Sequence, residues 1–448
     1  MESKSTLFLK EIDSLSKKEI PKNVMDRAKQ SLLDYIAVTF AGSQFQKEKI
    51  RKYCDFSEPE DGKYTTIGIG KKLALKEAVF LNGLNGHALD FDDGTNSGII
   101  HLGSPIFSLL LPLAQKFDIS IDKLLKSAII GYEVSYTLAV SIQPGHKALG
   151  YHATGTCGVV GATIAATYML DFNEEERFEA FATACVSASG MLKVLDDGSE
   201  LKPYNVAKTA LLALTSIELA KAGFKGHPDP LGGRGFLKMM TGSEDVELKP
   251  LLLNGTYAIE KTYTKPYASC RYTHPSIEAA VKIRNKYDLN AESIKRIDIE
   301  TYSLAVGGHD HREIPGSYSA KMSTPYSVAV GIVYGKAGLQ EFSESVIENE
   351  IVTSLTKKVF VASSEELSNV FPDVQAAIVR INTIDGKMYE ERVDFPKGEP
   401  ENPLSEEEFK ERYIGLMSFA NVDSKNQEEI YKLVNIGVCK ASEVLVFC

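Results

Sequence analysis

The chain has 448 residues, of which 44% are hydrophobic and 25% charged, and it carries a net charge of −10 at pH 7. That length exceeds what one small core organises, so two or three domains are expected. No apolar run approaches the roughly 20 residues that span a bilayer, and the dispersed Lys and Arg of an acidic chain exclude long-range attraction to nucleic acid or an anionic membrane.

The opening stretch, MESKSTLFLKEIDSLSKKEIPKN, breaks its apolar positions with Lys and Glu every few residues, unlike the uninterrupted core of a secretory signal. A cytoplasmic protein is expected. Six cysteines (Cys54, Cys157, Cys185, Cys270, Cys439, Cys448) form no C-x-x-C pair and no regular spacing, which fits a reducing compartment and encodes neither a zinc cluster nor a disulfide framework.

From Ile20 onward, Pro21 opens a helix in which Val24, Ala28, Leu32, Ile36 and Phe40 recur at four-residue spacing, with Gly42 as its expected stop. Helices are predicted at 73–89, 105–117, 121–142, 155–170, 174–190 and 204–223, so the first half should be almost all helix. Within the fourth of these, Gly155, Gly158 and Gly161 recur every three positions. No strand precedes them and the spacing is not G-x-G-x-x-G, so close helix crossing is expected rather than a phosphate-cradling loop.

After about Lys265 the pattern changes. Residues 293–302, 376–387 and 389–395 alternate apolar and polar side chains, and the turn Asp385-Gly386-Lys387 marks a hairpin. Helices are predicted between the strands at 275–287, 325–335 and 343–352, giving a small α+β unit. Ser405, three residues before Glu408, reads as a capping box that opens a helical tail, expected to rejoin the first body.

Four polar stretches carry candidate chemistry. In GHALDFDDGTNSGIIHLGSP, Asp90, Asp92 and Asp93 lie between His87 and His101. If the helix runs on through residues 84–93, His87, Asp90 and Asp93 share one side and could ligate a metal. The rest of the chain, however, offers no H-x-x-E, H-E-x-x-H or D-x-D-x-D partner. The D-x-D-D pattern of terpene cyclases also fits these letters, but such pockets hold carbocations with aromatic rings, and this chain has no Trp. An acidic helix end followed by a flexible loop is the plain alternative.

His152, in GYHATGT, precedes a helix whose positive end favours neutral imidazole, the form that acts as a base. Lys202 precedes Pro203 at a helix start, where backbone N–H groups would help it hold an anion. TKPYASCRYTHPS gathers Lys265, Cys270, Arg271 and His274 at the junction of the two regions, a favoured place for pockets. A Cys–His nucleophilic pair there is the thiol-enzyme alternative, although no local motif of such enzymes is present.

In this order, NGLNGHALDFDD followed by His101 and Ser104-Pro105, YHATGTCGVVGA, LKPYNVAKTALLALTSIELAKAGFKG, KPYASCRYTHPSIEAA and MSTPYSVAVGIVYG resemble the MmgE/PrpD family. That family includes 2-methylcitrate dehydratase, cis-aconitate decarboxylase and iminodisuccinate epimerase. The resemblance implies a mainly α fold: a large all-helical domain of residues 1–265 plus 400–448, and a smaller α+β lid domain of residues 266–399. It further implies a homodimer and chemistry on a small carboxylic acid at the domain interface, without metal or cofactor.

Carried over by position, the active site comprises Asp90, His101, His152, Lys202, Lys265, Cys270 and Tyr326. His101 and His152 are expected to move protons, with Asp90 orienting an imidazole. Lys202 and Lys265, with Arg271, are expected to hold carboxylates, and Cys270, His274 and Tyr326 to complete substrate binding. The chain departs from the decarboxylase pattern at Gly94, where Thr is usual, at Cys270, where His is usual, and in one extra residue before His101. Dehydration of a hydroxy acid of the 2-methylcitrate type is therefore expected first. Epimerisation of a small dicarboxylate such as iminodisuccinate comes second and cis-aconitate-type decarboxylation third. A helical interaction protein with a dead site is the non-enzyme alternative.

Overall fold

Two helices open the chain, α1 (Lys4–Ser16) and α2 (Lys22–Phe45), in the computed structural model, which describes residues 2–194 and 199–448. Gly42 does not stop α2. A Cβ there would lie 2.0 Å from the carbonyl oxygen of Asn85, so glycine is needed for a close crossing. After α3 (Lys47–Ser57) comes an antiparallel hairpin, β1 (Asp61–Thr66) and β2 (Lys71–Leu73), turned through Gly68 and Gly70, both at positive φ. The expectation of an almost all-helical first half is corrected here, because these strands are too short and polar to show alternation.

The further α-helices among the described residues of this body, before the tail, are α4 (Leu75–Gly86), α5 (Gly103–Lys116), α6 (Ile121–Ile142), α7 (Gly145–Ala148), α8 (Ala153–Met169), α9 (Glu174–Ser187), α10 (Lys202–Lys221) and α11 (Phe236–Thr241). Of α8 only Tyr168 escapes burial, as expected of a helix that is apolar and small on all sides. Its glycines serve contact: a Cβ on Gly161 would meet Ser135 Oγ at 1.8 Å and the Gly131 carbonyl of α6 at 2.5 Å. Similarly, Gly83 of α4 faces Ala207 of α10, whose Cα lies 2.8 Å from where a Cβ would be.

The alternating region folds around α12 (His274–Tyr287) and a four-stranded sheet. β3 (Ile294–Thr301) is followed by four short helices, α13 (Ser317–Met322), α14 (Thr324–Tyr334), α15 (Glu344–Ile347) and α16 (Glu350–Thr356). Then come β4 (Val359–Ser363), α17 (Glu365–Asn369), β5 (Ala377–Thr383) and β6 (Met388–Val393). Sheet order is β4-β3-β5-β6; β3 runs parallel to β4, with Ile297 opposite Val359, and antiparallel to β5, with Ile297 opposite Ile381. Along β5, Ala377, Val379, Ile381 and Thr383 are buried, the alternation read from the sequence. The helix expected at 343–352 is split, because Asn349 accepts from the backbone N–H groups of Ile351 and Val352 and starts a new one. β4 was not expected.

The tail returns as α18 (Glu406–Phe419), α19 (Ser424–Ile436) and α20 (Ala441–Leu445). Arg412 of α18 bonds Asp34 of α2 at 2.8 Å and the carbonyl of Phe91 at 2.7 Å, both within the first body. Packing divides the chain into two compact units: Met1–Val194 with Leu201–Thr262 and Glu406–Cys448, and a second built on Tyr263–Ser405. No helix among the described residues is long and apolar enough to cross a membrane.

Candidate active site

The helix expected to run through residues 84–93 ends at Gly86, leaving His87 as the C-cap of α4. Asp90 then adopts φ 51°, a left-handed conformation that Asp tolerates better than most residues. His87, Asp90 and Asp93 are therefore arrayed by a turn, not by helical spacing. The following GTNSG is a closed return in which Thr95 pairs with Ile100, its N–H 2.9 Å from that carbonyl. This return carries His101 back beside the aspartates.

Each acid has a distinct environment. Asp93 accepts from the Tyr132 hydroxyl at 2.6 Å and from the Gly103 N–H at 2.9 Å, so it anchors the start of α5. Burial pushes its carboxyl up to about 6 against those two donors. Asp92 accepts from Ser104 Oγ at 2.7 Å, His87 Nδ1 at 2.8 Å and His101 Nδ1 at 3.3 Å. Burial alone would raise it, yet His101 and His87 hold it well below the usual carboxylate range. Asp90 bonds Lys202 Nζ at 2.5 Å and lies 3.6 Å from His101 Nε2.

Three imidazoles meet at this wall. The His87 and His101 rings stand edge to face at 4.6 Å between centroids, and His87 and His152 are 6.5 Å apart. Burial lowers His87 to about 4, and its Nε2 is buried without a hydrogen bond among the described residues. His101 Nδ1 lies 2.8 Å from the carbonyl of Asp93, and its backbone N–H reaches Thr154 Oγ1 of α8 at 3.1 Å. His152 is the N-cap residue of α8, and its Nδ1 faces the side-chain amide of Asn205 at 3.1 Å. Burial, then the Lys202 ammonium, hold it well below the ordinary histidine value.

Asp90, His101, His152 and Lys202 are thus gathered within one unit. His87, Asp92 and Asn205 lie beside them; Asp92 faces both Nδ1 groups, and Asp90 faces His101 from the Nε2 side. Lys202 opens α10 as expected, but its ammonium is met by Asp90, with which any anion would share it.

The other expected residues lie in the second unit. Lys265 is fully buried and Cys270 partly so. Arg271 is buried in an ion pair with Glu399. His274, at the start of α12, donates from Nε2 to the Ser269 carbonyl at 3.2 Å, and the Tyr326 hydroxyl donates to the Glu341 carbonyl at 2.7 Å. These two polar groups are engaged inside their own unit.

His87, Asp90, Asp92 and His101 could supply metal ligands, since one atom from each lies within 4.8 Å of the others. The donor set fits an ion poorly: Asp92 is occupied by three donors, and Lys202 already brings a positive charge to Asp90. What the arrangement offers chemically is neutral imidazole beside a lysine–aspartate pair, suited to moving a proton near an anionic group.

The pattern of the MmgE/PrpD N-terminal domain matches residues 9–249, and that of the C-terminal domain matches residues 267–435. A cis-aconitate decarboxylase of Aspergillus terreus (strain NIH 2624 / FGSC A1156) is 28% identical over 443 residues, covering 93% of this chain and 89% of that one. The cis-aconitate decarboxylases of Mus musculus and Homo sapiens are 24% and 22% identical. They align with 92% and 94% of this chain, and with 86% and 91% of their own lengths.

Proposed function

Because this chain belongs to the MmgE/PrpD family through both of its domains, we propose that it is a lyase that moves a proton at a carbon next to the carboxylate of a small carboxylic acid. The observation that carries this reading is the grouping of His101 and His152 about His87 in a buried wall, with His101 beside the Lys202–Asp90 pair. Proton removal next to a carboxylate builds enediolate-like charge. Lys202 meets that charge, and loss of one preorganised donor of this sort costs about 10²- to 10³-fold in kcat.

Dehydration of a small hydroxy acid is the first reading, because it employs both things the imidazoles offer: a base for the α-proton and a donor for the oxygen that gathers charge. Decarboxylation of the cis-aconitate type is the second reading. It is favoured by the full-length similarity to proteins of that name, and weakened by Gly94 and Cys270. The protein works as a cytoplasmic homodimer without metal or cofactor in either case.

The test is a panel of hydroxy and unsaturated di- and tricarboxylates followed by NMR in D₂O. An alkene formed from a hydroxy acid supports dehydration. Release of CO₂ with deuterium on the product supports decarboxylation, and α-deuteration with inversion moves the assignment to epimerisation. A folded protein that changes none of the panel refutes the reading. Turnover is expected to persist after exhaustive chelation and to be lost in His101→Ala.

A further inference from the structure

Asn205 lies one helical turn after Lys202 on α10, and its amide NH₂ touches two groups: His152 Nδ1 at 3.1 Å and the backbone carbonyl of Met191 at 3.4 Å. A carbonyl only accepts, so the nitrogen end of the amide must face Met191. The same NH₂ then donates its second hydrogen to His152 Nδ1. An imidazole that accepts at Nδ1 carries its proton on Nε2, and an imidazolium there would set N–H against N–H. His101 is arranged the opposite way. Its Nδ1 lies 2.8 Å from the Asp93 carbonyl and 3.3 Å from Asp92, both acceptors, so the Nδ1 atom carries the hydrogen; the Asp90 oxygen facing Nε2 stands at 3.6 Å, beyond hydrogen-bond distance, and is engaged by Lys202, so Nε2 keeps its lone pair.

We propose that Asn205 is a positioning residue that fixes His152 as a neutral Nε2–H donor, which leaves His101 as the base. The assignment rests on the proton-transfer reading above and divides the work between its two histidines. In the dehydration, His101 Nε2 takes the α-proton, and the C–H electron pair passes into the enediolate. That charge expels the hydroxyl, the C–O pair leaving with oxygen, and the proton on His101 Nε2 is returned to it as water departs. His152 keeps its Nε2 hydrogen throughout and donates it as a hydrogen bond to the charged oxygen. A ring that must remain neutral is served by burial, which already lowers His152.

The tautomer is read directly by long-range ¹H–¹⁵N correlation on the full-length protein labelled at histidine nitrogen, with His152 signals assigned by their loss in His152→Gln. The expected result is an Nε2–H pattern for His152, unchanged from pH 6 to 8, and Nδ1–H as the neutral tautomer of His101. In Asn205→Asp the carboxylate accepts instead, so His152 should switch to Nδ1–H or titrate within that range. kcat on whichever substrate is found should then fall about 10²-fold or more with KM little changed. Wild-type His152 bearing its proton on Nδ1, or a pattern unmoved by Asn205→Asp, overturns the proposal. The spectra require no turnover, so they judge the tautomer even where the substrate panel fails.

Discussion

At Asp92 three donors meet on one buried carboxylate, and two are the Nδ1 groups of neighbouring imidazoles. Asp92→Asn puts an NH₂ or a weaker acceptor before those N–H groups; His101 keeps the Asp93 carbonyl, but the buried His87 Nδ1 loses its carboxylate partner, a cost of about 1–3 kcal/mol. The expected outcome is a lower melting temperature together with a loss of about 10²-fold or more in kcat as His101 loses its orientation; unaltered kinetics would remove Asp92 from the site. Lys202 and Asp90 make the complementary case. Lys202→Met removes the ammonium from a buried carboxylate, which costs up to about 3–5 kcal/mol in unfolding free energy, whereas Lys202→Met with Asp90→Asn should recover most of that stability and none of the turnover. Chemical denaturation of the two variants and the parent separates charge pairing from catalysis. Asp90, His101, His152 and Lys202 were legible through the resemblance rather than through pattern, since each lies in a turn or at a helix end and alone reads as an ordinary polar residue. Asp92 and His87 were misjudged because residues 87–93 carry a helical period that the left-handed Asp90 interrupts, and periodicity holds no sign of a single-residue turn. For Asn205 a signal did exist: Lys202, Asn205 and Thr209 fall on one face of a helix.

Elements bring these residues together through glycine. Gly83 lets α4 lie directly against Ala207 of α10, and these two helices hold His87 at the end of one and Lys202 and Asn205 at the start of the other. Gly83→Ala forces backbone apart at that crossing. It should reduce turnover more than its thermal destabilisation, about 1–3 kcal/mol for an overpacked contact, would explain. Gly161→Ala strains the α6–α8 crossing instead, through Ser135 and Gly131, so its expected signature is a lowered melting temperature with near-parental kcat in the folded fraction. If both variants lose activity only in step with stability, the α4–α10 crossing has no special hold on the site. The small-residue spacing of α8 foretold close packing, and the alternation of β3, β5 and β6 foretold the sheet. The hairpin of β1 and β2 was hidden because Asp61–Thr66 is mostly polar, with only its last two residues buried.

Across the whole molecule, the buried histidines couple stability to pH. His87 and His146 are both lowered to about 4 by burial, against 6.5 in the unfolded chain. A depressed folded value means that their contribution is complete above pH 6.5 and is lost as pH falls through 4, each drawing on roughly 3 kcal/mol over that span. Asp93 acts in the opposite sense. Raised to about 6, it favours the folded state most below its unfolded value of 3.8 and loses that contribution as pH rises through 6. Two histidines outweigh one aspartate, and His152, also lowered, adds to their side. The melting temperature should therefore fall steadily from pH 7 to pH 4. His146, which bonds Thr156 Oγ1 at 2.8 Å well apart from the aspartates, is the separable member. His146→Gln should remove one proton's worth of slope from urea unfolding free energy plotted against pH, about 1.4 kcal/mol per pH unit at its steepest. A parental slope in that variant, or a melting temperature flat down to pH 4, would mean that these rings are protonated in the folded protein at little cost, and the neutral imidazole wall would lose its physical basis.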